Sequence, residues 1–272
     1  MTIKLPSVLL IAIVTVAQPA DLDAVLGKLD SYLEKYESEL STVVADEELI
    51  QETDGRLVRR MTRRLHSEIA FVRLPAGLEW LGFRNVQRLD GKPLIGVKPL
   101  AELLATTSAD GLKQASILVN ESAKYNLGNP RTTNMPNLPL ELLNRKYRHR
   151  YNPSYTGRSQ LRGHATDEVE LVEIGEDPII YNEGRQMKTR VRAWIDSSSG
   201  ALWRAEVEMR VPGDRRNPTW LRVDFAPEKG LQIMVPVAMR ERFNWVADTG
   251  TSVATYTNFR RFQTSARIVP QP

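Results

Sequence analysis

The sequence predicts a mainly β, α+β domain in which helices cover the apolar face of an antiparallel sheet. Three observations carry that prediction. Residues 188–243 read as four consecutive strands with a side-chain period of two, an amphipathic helical pattern precedes the first strands, and a second helical stretch at 99–126 interrupts them. A sheet with one apolar and one charged face must bury the apolar one, and the helical stretches are what the chain offers as a cover.

Taken in order, the first residues have the layout of a secretory signal. Lys4 supplies the positive charge, residues 8–16 are apolar apart from Thr15, and Thr15 and Ala17 are the small residues of a cleavage site after Ala17. The apolar run is about half of the ~20 residues that cross a bilayer. Export to a periplasm or the exterior is therefore expected, with residues 18–272 as one mature domain.

Residues 21–36 then place Leu22, Val25, Leu26, Leu29 and Leu33 at helical spacing behind an acidic first turn, where the helix dipole favours negative charge. Strands are expected at 42–52 and 56–74, separated by Thr53-Asp54-Gly55, with Leu57, Met61 and Leu65 on one face of the second. A shorter strand at 83–89 ends at Asp90-Gly91. Residues 99–105 and 108–126 predict two inserted helices, because Pro99 suits a helix start, Ser108 an N-cap and Gly128 a stop.

Pro130, Pro136 and Pro139 forbid regular structure over 129–139, so an ordered connector is expected there, followed by at most one helical turn at 140–144. Strands resume at Tyr147, where Tyr147, His149 and Tyr151 alternate with Arg148 and Arg150, and another covers 161–174. Among the four central strands, Val191, Ala193 and Ile195 face one way, as do Trp203, Ala205, Val207 and Met209, and then Leu221, Val223 and Phe225. Asp196-Ser197-Ser198-Ser199-Gly200 supplies turn chemistry between the first two. A last strand is read at 252–268, with a bulge at Arg260-Arg261 that lets Phe259 and Phe262 share a face.

With 42% hydrophobic and 26% charged residues the 272-residue chain has an ordinary globular composition that needs no disulfide or metal to fold. The absence of cysteine excludes a thiol nucleophile, a disulfide and a lipid-modified N-terminal cysteine. A formal charge of +4 is too small to argue for a polyanionic partner, and export argues against nucleic acid. No HExxH, no Gly-x-Ser-x-Gly elbow and no phosphate-cradling loop occurs, so neither an enzyme nor a cofactor is predicted.

The order of helix, strands, helical insertion and long antiparallel meander resembles the LolA/LolB-like superfamily of bacterial outer-membrane lipoprotein carriers. Three motifs are more specific: Val191-Arg192-Ala193-Trp194-Ile195-Asp196 with Ser199-Gly200, then Val235-Pro236-Val237-Ala238-Met239-Arg240-Glu241, then Ala254-Thr255-Tyr256-Thr257-Asn258-Phe259-Arg260-Arg261-Phe262. They are similar to motifs of a group of uncharacterised exported bacterial proteins. The resemblance implies a curved sheet, an incomplete barrel, with helices closing its concave side, and it implies carriage of acyl chains in the periplasm.

The ligand expected on that basis is a lipid or a lipoprotein acyl chain. Its cavity would be lined by Leu100, Leu103, Leu104, Leu112 and Leu118 from the insertion at 99–126 and by Trp203, Val207, Met209, Val223 and Phe225 opposite, with Arg148 and Arg150 placed to meet a headgroup. A cell-envelope protein-interaction module with a filled core is the alternative, and an exported hydrolase the third reading. Asp248-Thr249-Gly250 has the form of an aspartic-protease turn, but that chemistry needs two carboxylates sharing one proton, and a hairpin turn explains the same residues. His164 with Asp167 and Glu168, and His66 with Ser67 and Glu68, lack diagnostic spacing; on a strand, neighbours 66 and 67 point to opposite faces.

Overall fold

The computed structural model describes residues 21–41, 43–54, 59–73, 80–100, 102, 117, 121–182, 185–214, 218–245 and 248–261. In chain order its elements are α1 (Leu22–Leu40), β1 (Val43–Thr53), β2 (Thr62–Arg73), β3 (Trp80–Leu89), β4 (Lys92–Pro93), α2 (Leu138–Leu143) and a 3-10 helix (Arg145–Arg150). Eight further strands follow: β5 (Tyr151–Leu161), β6 (His164–Glu173), β7 (Ile180–Asn182), β8 (Arg185–Asp196), β9 (Leu202–Arg210), β10 (Thr219–Glu228), β11 (Ile233–Trp245) and β12 (Asp248–Arg261).

These strands make a 12-stranded antiparallel sheet in the order β4-β3-β2-β1-β12-β11-β10-β9-β8-β6-β5, with β7 pairing β8 off that path. The crossover that sets the order is β1 pairing with β12, through ten residue pairs from Val43↔Arg261 to Thr53↔Gly250. Strands β4 and β5 remain the two edges, so the sheet is an incomplete barrel, as expected.

Helix α1 begins at the N-cap Asp21, whose side chain accepts a hydrogen bond from the Asp23 backbone N–H at 3.1 Å, and it buries Val25, Leu26, Leu29, Leu33, Tyr36 and Leu40. It runs one turn beyond the expected 36, and it packs against β2 and β11. Its first half rests on the β8–β9 turn: Lys28 Nζ donates to the Ser197 carbonyl at 2.7 Å, and a Cβ on Gly200 would stand 2.5 Å from the Lys28 carbonyl oxygen. Only glycine permits that approach, and Gly200 also holds φ at +77°. Asp196 organises the same turn through four hydrogen bonds from Ser198 and Ser199; partial burial works to raise its carboxyl, but those bonds outweigh burial and bring it down to about 2.

The concave face carries the main core, in which Val191, Ala193, Ile195, Ala205, Val207, Leu221, Val223, Phe225 and Met239 join the apolar stripe of α1. The convex face is a lattice of ion pairs such as Arg222–Glu206 and Arg204–Asp224. A second, smaller buried group lies on the convex side. Val44, Ala70 and Phe83 are successive partners across β1, β2 and β3, and they stand outside the main core together with Leu100.

Several sequence expectations are corrected. The alternation at 147–151 is not a strand: residues 145–150 form the 3-10 helix, started by the Asn144 side chain accepting from the Lys146 N–H at 3.0 Å, so Arg148 and Arg150 do not share a strand face. Residues 161–174 are not one strand either, because Arg162 (φ 52°) and Gly163 (φ 84°) turn the chain between β5 and β6. The bulge near the end of β12 falls at Asn258 (φ 52°), opposite Ala45, rather than at Arg260-Arg261. Strand β2 starts at Thr62 and leaves Met61 outside it, whereas Leu57 and Phe262 lie outside the described residues.

Candidate functional site in the concave face

The concave face divides into an apolar and a polar part. On β1 the inward side chains are Ala45, Glu47, Leu49 and Gln51, so a carboxylate and an amide point into the interior. Glu47 meets Arg84 of β3 in a two-pronged pair, with Nε to Oε2 at 2.5 Å and Nη2 to Oε1 at 2.9 Å, both side chains at 2% exposure or less. Burial works against the Arg84 charge, yet the charge and hydrogen bonds of Glu47 outweigh it and hold the guanidinium above its usual value. Tyr256 of β12 is buried beside this pair, and burial followed by the Glu47 charge pushes its phenol well above the ordinary range.

A second pair lies on β11, where Arg131 reaches Glu241 with both prongs, at 2.7 and 3.0 Å, and Ser252 donates to the same carboxylate at 2.7 Å. Arg131 also sits 3.7 Å from the centroid of the Phe243 ring. That ring lies over Gly250, where a Cβ would come within 2.3 Å of it. This explains the glycine of Asp248-Thr249-Gly250 without chemistry. The three residues lie within β12, paired to Phe243, Asn244 and Trp245, and not in the turn that the sequence reading placed there.

Both pairs fasten residues 121–137 onto β1–β3 and β11. Arg84 donates to the Asn134 side-chain and backbone oxygens at 3.2 and 2.8 Å, Asn134 donates to Asn126 at 2.7 Å, and Gln51 joins Asn126 at 2.9 Å and the Leu127 N–H at 2.7 Å. Gly82 of β3 makes room for Asn137, whose Oδ1 would be 2.4 Å from a Cβ there. The expected connector is thus an ordered cover, sealed by two arginines and two glutamates whose charges cancel.

The apolar part is closed differently. Trp203, Val207, Met209, Val223 and Phe225 come together in the main core on the concave face and are 7% exposed or less. Helix α2 packs on β8 and β9, and α1 lies across the face on its apolar stripe. Leu103, Leu104, Leu112 and Leu118 lie outside the described residues. Leu100 is placed on the convex side instead of in a concave lid: its N–H donates to Glu68 Oε2 at 2.6 Å, and Asn85, the cross-strand partner of Glu68, holds the Lys98 carbonyl at 2.8 Å.

Between α1 and residues 144–153 runs a half-open groove of about 820 Å³. Its floor includes Leu26 and Leu33, both part of the main core, and its walls carry acidic residues of α1 on one side and Arg145, Arg148 and His149 on the other. Arg148 bridges the groove to Asp30 at 2.7 Å and donates to the Leu143 carbonyl at 3.2 Å. Arg150 lies apart from it, 3.7 Å from Asp177, so the two expected headgroup residues do not act together.

The other candidates separate. His164 stacks on Trp203 with ring centroids 4.0 Å apart, whereas Asp167 accepts from Arg158 at 2.8 Å and Tyr155 at 3.2 Å. His66 is exposed and Ser67 buried, on opposite faces of β2. No group of three or more metal-ligating side chains occurs among the described residues. No helix among them is long and apolar enough to cross a membrane.

No family model matches the chain, and no curated protein does. Among solved structures, the chain is similar to a domain assigned to the outer membrane lipoprotein-sorting proteins of Vibrio parahaemolyticus, at 12% identity and a TM-score of 0.44, covering 91% of this chain and 96% of that one. A DUF1329 family protein from Desulfovibrio piger matches at 11% identity and a TM-score of 0.43, covering 92% and 96%. A LolA superfamily protein from Nitrosomonas europaea matches at 12% identity and a TM-score of 0.37, again covering 92% and 96%. The chain is thus similar, over nearly its whole length, to proteins of the LolA superfamily and of the DUF1329 family.

Proposed function

We propose that this chain is an exported, non-enzymatic binding protein for a lipid or other long apolar ligand, whose apolar part lies against the concave face behind α1. The observation that carries the reading is the unequal closure of that face. Residues 121–137 are sealed by directional, buried ion pairs that an acyl chain cannot replace. The part under α1 is closed by apolar side chains, and their contacts exchange for an acyl chain because burial is non-directional, at about 0.8 kcal/mol per buried methylene. The groove along α1 leads to Leu26 and Leu33 and supplies the way in. Its volume lies within the roughly 300–1,000 Å³ of small-molecule sites.

A bridge across the groove tests this. The chain has no cysteine, so Asp30→Cys with Arg148→Cys gives one pair for a short, reducible bismaleimide linker. A fluorescent fatty-acid analogue should bind the unlinked double variant, fail to enter the linked one, and enter again after reduction. Equal uptake by linked and unlinked protein would show that the ligand does not lodge behind α1, and absence of uptake by both would remove the proposal.

A further inference from the structure

The groove walls carry opposite charge, and that division bears on what the ligand's polar end must be. On α1, Asp23, Asp30, Glu34 and Glu37 all line the groove, at a spacing of seven, four and three residues that keeps them on one face of the helix. The facing wall carries Arg145 and His149, both exposed, beside Arg148. Two contacts cross between the walls: Arg148 meets Asp30 at 2.7 Å, and Asn144 donates to Glu37. The carboxylates of Asp23 and Glu34 and the guanidinium of Arg145 make no hydrogen bond or ion pair among the described residues, so after the internal pairings the groove offers two free anions on one wall, with Glu34 beside the Asp30 bridge, and a free cation on the other.

A headgroup of a single sign meets attraction from one wall and repulsion from the other. A headgroup holding a primary amine a few atoms from a phosphate satisfies both, with the ammonium at Glu34 and the phosphate at Arg145 and His149. We infer that the groove selects a zwitterionic aminophosphate head, of the phosphoethanolamine kind, carried on an apolar tail. The inference rests on the carrier reading and names the polar end of its ligand.

The test is competitive loading from vesicles of phosphatidylethanolamine, phosphatidylglycerol or diacylglycerol, read by native mass spectrometry, with soluble glycerophosphoethanolamine as a fourth arm. Charge-assisted hydrogen bonds of this kind make a preference of roughly tenfold for phosphatidylethanolamine over phosphatidylglycerol the expected result. Glu34→Gln should erase that preference, and Arg145→Gln should weaken both phospholipids while leaving diacylglycerol unchanged. Both residues are exposed, so neither substitution disturbs the core. Equal loading of all three lipids, or a ratio unmoved by Glu34→Gln, would overturn the headgroup inference and leave carriage standing. Absence of loading by any lipid, diacylglycerol included, would overturn both. Binding of the soluble head as strongly as the lipid would keep the aminophosphate chemistry and overturn the tail.

Discussion

Arg84→Met is expected to destabilise the fold by about 3–5 kcal/mol, because it leaves a buried carboxylate without its partner. Glu47 is 0% exposed and is held by two prongs of Arg84, and Arg84 in turn holds both oxygens of Asn134. Removing the guanidinium strands the Glu47 charge and frees the connector at Asn134 in one step. The Glu47→Leu/Arg84→Met double variant removes both charges and should cost far less than the two single substitutions added together, since no charge is then left unpaired. Urea unfolding of the four proteins measures this. A single-variant cost below about 1 kcal/mol, the range of exposed pairs, would show that the pair is not a seal.

Leu29→Ala with Leu33→Ala is expected to act on the other part of the fold. Both leucines are 2% exposed or less and belong to the main core, and truncation of such a side chain costs about 2–5 kcal/mol. The cost should fall on the docking of α1 rather than on the sheet. Strands β1, β2, β11 and β12 keep their cross-strand pairing and their cover at 121–137 when α1 loosens. Hydrogen exchange should therefore quicken in α1 and the 3-10 helix while β1 and β12 stay protected, and an environment-sensitive apolar dye should bind more strongly. Loss of protection in all elements together would show that α1 is an inseparable part of the core.

How much of this was legible in the sequence follows from where each interaction's partners lie. The four central strands and α1 read clearly, because an unbroken period of two or 3.6 is a local signal that burial then confirms at Val207, Val223, Leu29 and Leu33. The 3-10 helix at 145–150 was hidden by five residues of aromatic and basic alternation, too short a run to outweigh an Asn144 cap at its start. In the turn at Arg162-Gly163 only Gly163 is a turn signal, and a single glycine also fits the interior of an alternating run, where it marks a bulge. The polar interior was illegible for another reason: Glu47 and Gln51 look like outward residues until Arg84, Asn126 and Asn134, 37 to 75 residues or more away, are brought over them. An arginine at 131 inside a proline-rich connector was the one local hint that this segment had a carboxylate to meet. The groove is half legible, since Arg148 stands in a basic run of the sequence, but its acidic wall belongs to a helix whose clearest signal is its apolar stripe.

The measurement that bears most directly on carriage is native mass spectrometry of the chain purified from a bacterial periplasm, with a parallel organic extract. A lipid-sized adduct that survives purification, and that leaves when α1 is loosened by the Leu29→Ala/Leu33→Ala substitutions, is the predicted result. A clean apo mass that stays clean after incubation with acyl lipids would contradict it and leave a filled core that serves a protein partner.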